Sequence, residues 1–188
     1  MRLAYVKSQK RGETDRLLSE LAEALQAEGV ALTGVVRDQH YASRHANGCD
    51  MKIRVLPEGP VIKITQDLGD GSDACRLDTT ALTRAVSQVE TDPMAGTDLF
   101  ILNKFGPEER VGRGFCAALA AALERGIPVV VGVGGASEPD FLRFAGGLAE
   151  ALPDDMAQLK AWCCGAMLIA KNAPRTEAAT RWQPAKCR

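Results

Sequence analysis

Residues 3–36, LAYVKSQKRGETDRLLSELAEALQAEGVALTGVV, decide the fold. Leu3-Ala4-Tyr5-Val6 is a short apolar run and reads as a buried strand. The polar stretch Lys7 to Thr14 follows as a loop. Leu17, Leu18, Leu21, Ala24 and Leu25 then recur at helical spacing. Thr14 or Asp15 is the expected helix cap, and Gly29 the expected C-terminal stop. Val30 to Val36 is the next strand. Strand, loop, helix, strand is the grammar of a βαβ unit.

The segments further along extend this grammar and interrupt it once. Met51–Leu56 and Val61–Gln66 are short runs with β-branched residues, separated by Pro57-Glu58-Gly59-Pro60. They predict a hairpin with a four-residue turn, inserted antiparallel near residues 51–66. Pro60 keeps that end away from the middle of a sheet. Asp78–Glu90 has one apolar face and predicts a helix. Leu99–Leu102 and Pro128–Val133 are continuous apolar runs, typical of strands covered on both faces. Helices are expected over Gly112–Arg125, Phe141–Leu152 and Met156–Cys164. The expected fold is a three-layer α/β domain over residues 1–170. Its sheet is mostly parallel, with an antiparallel hairpin insertion. Residues 171–188 are expected to be a mobile or loosely docked tail.

Composition narrows the classes of function. The chain has 188 residues, 46% hydrophobic and 25% charged, which is ordinary for a globular domain. With 23 basic and 24 acidic residues, no cationic excess points to nucleic acid. No stretch approaches the ~20 apolar residues of a bilayer span, so membrane insertion is not expected. The start lacks the pattern of a secretory signal, so a cytoplasmic location is expected, with the six cysteines reduced.

In sheets of this kind, ligands lie beyond the carboxyl ends of the strands. That rule selects the loops Lys7–Thr14, Asn103–Val111 and Gly134–Pro139. A Walker A motif is Gly, four residues, then Gly-Lys-Ser/Thr. Here Lys7 replaces the first glycine, Gly12 and Thr14 match, and Glu13 replaces the lysine. A carboxylate there repels a phosphate, so the motif is degenerate. Lys7, Lys10 and Arg11 still make the loop cationic beside a helix start that favours anions. Asn103 stands where a strand-end acid would hold Mg²⁺, with Lys104 beside it. Glu108 and Glu109 follow, either as metal or base groups or as acids complementing a helix dipole.

His40, His45 and Cys49 lie close in sequence, and Cys75 follows the hairpin. Imidazole and thiolate are ligands of Zn or Cu, and the hairpin's base could unite Cys49 and Cys75. No C-x-x-C pair supports the set, and a surface loop with two thiols is the plainer reading. Asp67, Asp70 and Asp73 have the wrong spacing for an EF-hand. No G-x-S-x-G elbow appears, and both histidines fall in one loop, which disfavours a hydrolase triad.

Several segments together resemble a bacterial protein family of about this length. They are LAYVKSQKRGETDRLL from residue 3, CDMKIRV from 49, ITQDLGDGSDACRLDTTAL from 64, DLFILNKFGPEERVGRGF from 98, GIPVVVGV from 126 and FAGGLAEALP from 144. The resemblance runs nearly to Trp162, and some family members carry a label as ATP-binding components linked to molybdenum uptake. The arrangement is also distantly similar to P-loop nucleoside-triphosphatases, with Asn-Lys-Phe-Gly at 103–106 where Asp-Glu-x-Gly would stand. The resemblance implies a protein that binds a nucleotide, with or without Mg²⁺, or a small oxyanion such as molybdate. Any enzymatic activity would be triphosphatase-like hydrolysis, slow or absent. The expected ligand-binding residues are Lys7, Lys10, Arg11, Gly12, Thr14, Asn103 and Lys104. The alternatives are a metal or thiol accessory protein using His40, His45, Cys49 and Cys75, or an interaction module with a protein partner or a second copy.

Overall fold

The computed structural model describes residues 1–41, 50–66, 77–91 and 93–173. The strands are β1 (Leu3–Val6), β2 (Leu32–Arg37), β3 (Lys52–Leu56), β4 (Val61–Lys63), β5 (Leu99–Phe105), β6 (Val129–Val133) and β7 (Ala149–Leu152). They form one sheet in the order β4-β3-β2-β5-β6-β1-β7. β2, β5, β6, β1 and β7 run parallel. The predicted hairpin, β3 with β4, is antiparallel and joins the sheet's edge through β2.

The helices are α1 (Glu13–Ala27), α2 (Thr79–Thr91), α3 (Pro107–Arg110), α4 (Cys116–Glu124), α5 (Glu138–Ala145) and α6 (Met156–Asn172). α1 and α6 cover one face of the sheet, where Leu17, Leu18, Leu21 and Leu25 pack on Ile101 and Val130. α2, α4 and α5 cover the other, around Phe100, Leu102, Phe105 and Phe141. Both faces are therefore dry, which is why β5 and β6 read as unbroken apolar runs. No helix of the described residues is long and apolar enough to cross a membrane.

Four expectations are corrected. Phe141–Leu152 is not one helix: α5 ends at Gly146, whose φ is +59°, and Gly147 at +79° turns the chain into β7 beside β1. Gly112–Arg125 is not continuous either, because Gly112 and Gly114 have positive φ and the helix begins only at Cys116. β5 runs past Leu102, so Asn103 and Lys104 are strand residues and not loop residues. α6 continues beyond Cys164 through Lys171 and Asn172.

Candidate functional site

β1, β5 and β6 bring the three loops selected from the sequence to one end of the sheet. The turn before α1 is set by Gly12, which is the N-cap with φ +77°, a conformation that costs most residues energy. No side chain caps this helix start. The expected caps do other work. The Thr14 hydroxyl accepts the Ser8 N–H at 3.1 Å and closes the loop on itself. Asp15 points inward. The opening of α1 thus keeps the partial positive charge of its first amides without a side-chain oxygen to satisfy it.

The first turn of α1 lies close on β6 because Gly132 has no side chain. A Cβ there would stand 2.1 Å from the Asn103 carbonyl oxygen and 3.0 Å from Thr14 Cγ2. Thr14 and Asn103 are therefore near neighbours across Gly132.

Beside them is a buried polar cluster that the sequence reading missed. The Asn103 Nδ2 donates to Asp15 Oδ1 at 3.2 Å, and Asn103 Oδ1 accepts the Arg37 N–H at 3.1 Å. The Arg37 guanidinium donates to Asp15 Oδ2 at 3.0 Å. Ser19 Oγ lies 2.8 Å from the carbonyls of both Asp15 and Arg37. Asp15, Ser19 and Asn103 are all buried. The signal available in the sequence was Asp15 itself, a carboxylate in the first turn of an otherwise apolar helix face.

The expected cations divide. Lys7 Nζ donates to Glu138 Oε2 at 2.6 Å, and the Tyr5 hydroxyl donates to Glu138 Oε1 at 3.1 Å. Lys7 raises its own affinity for the proton through that bond and holds the Glu138 carboxyl below the usual carboxylate range. Lys10 and Arg11 are exposed, and neither makes an ion pair among the described residues. Glu13, in the place of a phosphate-binding lysine, is turned to Arg16, whose guanidinium bonds it at 2.6 Å and lowers its pKa. Asp154 adds another carboxylate to the loop's border, kept ionised to lower pH by the Ser8 hydroxyl. Lys104 lies on the exposed rim, and its Cε is 3.6 Å from where a Cβ on Gly134 would be.

Glu108 and Glu109 are structural. Glu108 pairs with Arg113 at 2.7 Å. Glu109 is buried, accepts the N–H of Gly106 at 2.9 Å and of Phe115 at 3.0 Å, and staples the turn from β5 to α4. Burial pushes its carboxyl pKa up. Of the expected metal set, only His40 is among the described residues, exposed in a turn after β2. His45, Cys49 and Cys75 lie outside them, as do Asp67, Asp70 and Asp73. Among the described residues, no three His, Cys, Asp or Glu side chains converge as a metal site.

Two grooves lie elsewhere. One groove of about 550 Å³ runs between β4 and α2, lined by Val61, Lys63, Arg84 and Gln88 among others. Another of about 430 Å³, with Asp98, Arg125 and Lys171, is at the opposite end of the sheet. The Lys7–Thr14 loop borders neither of these grooves.

Comparison with known proteins agrees with this architecture. Residues 3–162 match the family described as "Protein of unknown function (DUF2478)". A curated relative, the molybdenum import ATP-binding protein ModC 2 of Bradyrhizobium diazoefficiens, is 31% identical over 163 residues. That match takes in 86% of this chain and only 18% of the relative's length. In fold, the chain is similar to a human cancer-related nucleoside triphosphatase, with a TM-score of 0.56 and 10% identity, over 93% of this chain and 100% of the other. The chain belongs to the DUF2478 family and has a fold of the P-loop triphosphatase kind.

Proposed function

We propose that this member of the DUF2478 family binds a nucleotide or another small oxyanion at the Lys7–Thr14 loop and hydrolyses it slowly or not at all. The observation that carries the reading is the uncapped start of α1. Gly12 turns the chain so that the helix opens at the carboxyl edge of a parallel sheet, with Lys10 and Arg11 exposed beside it. The similarity to proteins named for ATP binding and for triphosphatase activity supports a phosphate-bearing ligand. The relative's name is also what brings molybdate into consideration.

Weak hydrolysis follows from the side chains. A Mg²⁺ ion in such a site needs an acid at the strand's end and an available hydroxyl. Asn103 offers no charge and already donates its amide to Asp15. The Asp15 carboxylate is engaged by Arg37 and Asn103, and the Thr14 hydroxyl by Ser8. The residues as arranged do not fit a Mg²⁺ site, and Lys104 brings positive charge to the rim where a strand-end acid pair would bring negative. Binding is accordingly expected without Mg²⁺. What the chain supplies is amide dipoles and cationic side chains that hold an anion in place.

Titration of the purified protein with sulfate, molybdate and ATP, with and without Mg²⁺, tests the reading. Millimolar or tighter binding, unaffected by the metal, is the expected result. Gly12→Ala is the informative variant. Its Cβ meets nothing within 4 Å in the protein, but the +77° φ disfavours it, so the loop should reshape and binding should fall. A Mg²⁺-dependent turnover near or above about 1 s⁻¹, the ordinary enzyme range, would overturn the claim of weak hydrolysis. Unchanged binding by Gly12→Ala would move the ligand elsewhere.

A further inference from the structure

We propose that Tyr5 and Lys7 form a specific seat for an oxyanion, and that Glu138 occupies it until the ligand arrives. The inference rests on the anion-binding reading and adds to it the residues that grip the ligand and the group that competes with it. Three features support the seat. Tyr5 and Lys7 stand two residues apart at the end of β1, so both side chains project to the same face of the sheet. Both donate to one carboxylate, the phenol to Oε1 and the ammonium to Oε2. The Tyr5 ring is itself fixed, because it is buried and packs against Phe141 of α5 with 5.3 Å between ring centroids.

The carboxylate comes from a different part of the chain. Glu138 is the first residue of α5, reached through the short turn Gly135–Ser137 after β6. It has two acceptor oxygens and one negative charge, the minimal form of what a phosphate, sulfate or molybdate presents. A tetrahedral oxyanion can take the same two donors and still offer further oxygens toward the Lys7–Thr14 loop. The Lys7–Glu138 pair is partly open, with 30% and 23% of the side chains exposed, so exchange does not require opening the core. Once displaced, Glu138 would have to leave, because two anions on one ammonium repel each other. Its helix follows the turn Gly135–Ser137, and the glycines at 134 and 135 permit more backbone conformations there than other residues would. Lys104, whose stem runs beside Gly134, is the cation placed to follow this movement.

The test is calorimetric titration of sulfate and molybdate into wild type, Glu138→Gln, Glu138→Asp and Tyr5→Phe at constant ionic strength. Glu138→Gln removes the competing charge and is expected to tighten both anions roughly three- to tenfold. Glu138→Asp keeps the charge but withdraws it by one methylene, and should fall between Gln and wild type. Tyr5→Phe removes one donor from ligand and competitor alike. Combined with Glu138→Gln it should return affinity toward that of wild type. Equal affinity in wild type, Glu138→Gln and Glu138→Asp overturns the seat while leaving the anion-binding reading intact. Absence of binding in every variant overturns both. Each variant's thermal midpoint is recorded alongside. Glu138→Asp preserves the charge should Glu138→Gln be misfolded, and weaker binding by Glu138→Asp than by wild type would also overturn the seat.

Discussion

Two polar clusters stand at the same end of the sheet, on opposite faces, and they are built differently. On the α1 face, Asp15, Asn103, Arg37 and Ser19 satisfy one another and are largely shut away from water. On the α5 face, Tyr5, Lys7 and Glu138 meet through a single carboxylate, and the ion pair is partly open. A buried network is strong because losing one partner strands the rest in a poor solvent for charge. A half-open pair is worth little to stability but can exchange partners at low cost. The first cluster therefore belongs to the architecture, and the second is the one proposed to bind. An acid in a helix's first turn beside an amide near a strand's end need not make a metal site.

The largest break in this comparison comes from Asp15→Ala. It leaves the Arg37 guanidinium and the Asn103 amide without their acceptor, and should cost about 2–4 kcal/mol in urea denaturation. A loss below about 0.5 kcal/mol would make this cluster as loose as the other. Gly132→Ala comes next. Its Cβ would press on the Asn103 carbonyl, a backbone atom that cannot swing away, and a cost of about 1–3 kcal/mol is expected with weaker anion binding as α1 lifts. Full stability in that variant would mean that α1 is not seated on β6 as described.

Glu109→Gln sharpens the contrast with a third carboxylate that is purely structural. An amide retains one acceptor oxygen but turns an NH₂ toward a backbone N–H of Gly106 or Phe115, at about 1–2 kcal/mol. Burial raises the Glu109 pKa, so protonated Glu109 favours the fold at low pH. That contribution is lost as pH rises through the raised value. Stability measured from acid toward neutrality should carry this loss in wild type and lack it in Glu109→Gln. Lys7→Met is the smallest expected change. Its thermal midpoint should stay within error of wild type while sulfate binding is lost. A marked drop in the midpoint would place Lys7 with the architectural cluster.

Much of the fold was legible because the apolar runs are unambiguous. β1, β5 and β6 are dry on both faces, and the hairpin is marked by Pro57 to Pro60. β7 was not, since Ala149-Glu150-Ala151-Leu152 are good helix formers that take strand geometry only because β1 needs a partner there. The Gly146-Gly147 pair was the local warning. At the site, the place of the Lys7–Thr14 loop followed from chain order, whereas Asn103, expected to open the loop after β5, lies within the strand. The destinations of Thr14, Asp15 and Lys7 did not, because each is decided by a partner distant in sequence or by how the loop closes. Thr14 looked like a cap and instead closes the loop, and Asp15 turns to Arg37 and Asn103.

β1, which leads into the candidate loop, is synthesised before the other strands of this sheet and is among the last to be housed. β1 pairs only with β6 and β7, so Leu3 waits for Val129 and Ala149 before it has a neighbour. β2, β3, β4 and β5 can assemble among themselves well before that. Contacts so remote along the chain are slow to form, because the intervening loop must be closed first. On a ribosome, the growing polypeptide would present the β4-β3-β2-β5 part of its sheet as an early platform with an apolar edge still waiting at β5. The proposed anion seat would then be a late product of folding, and a chain cut short before β6 would retain Lys7 to Thr14 in sequence with nothing to hold them in place.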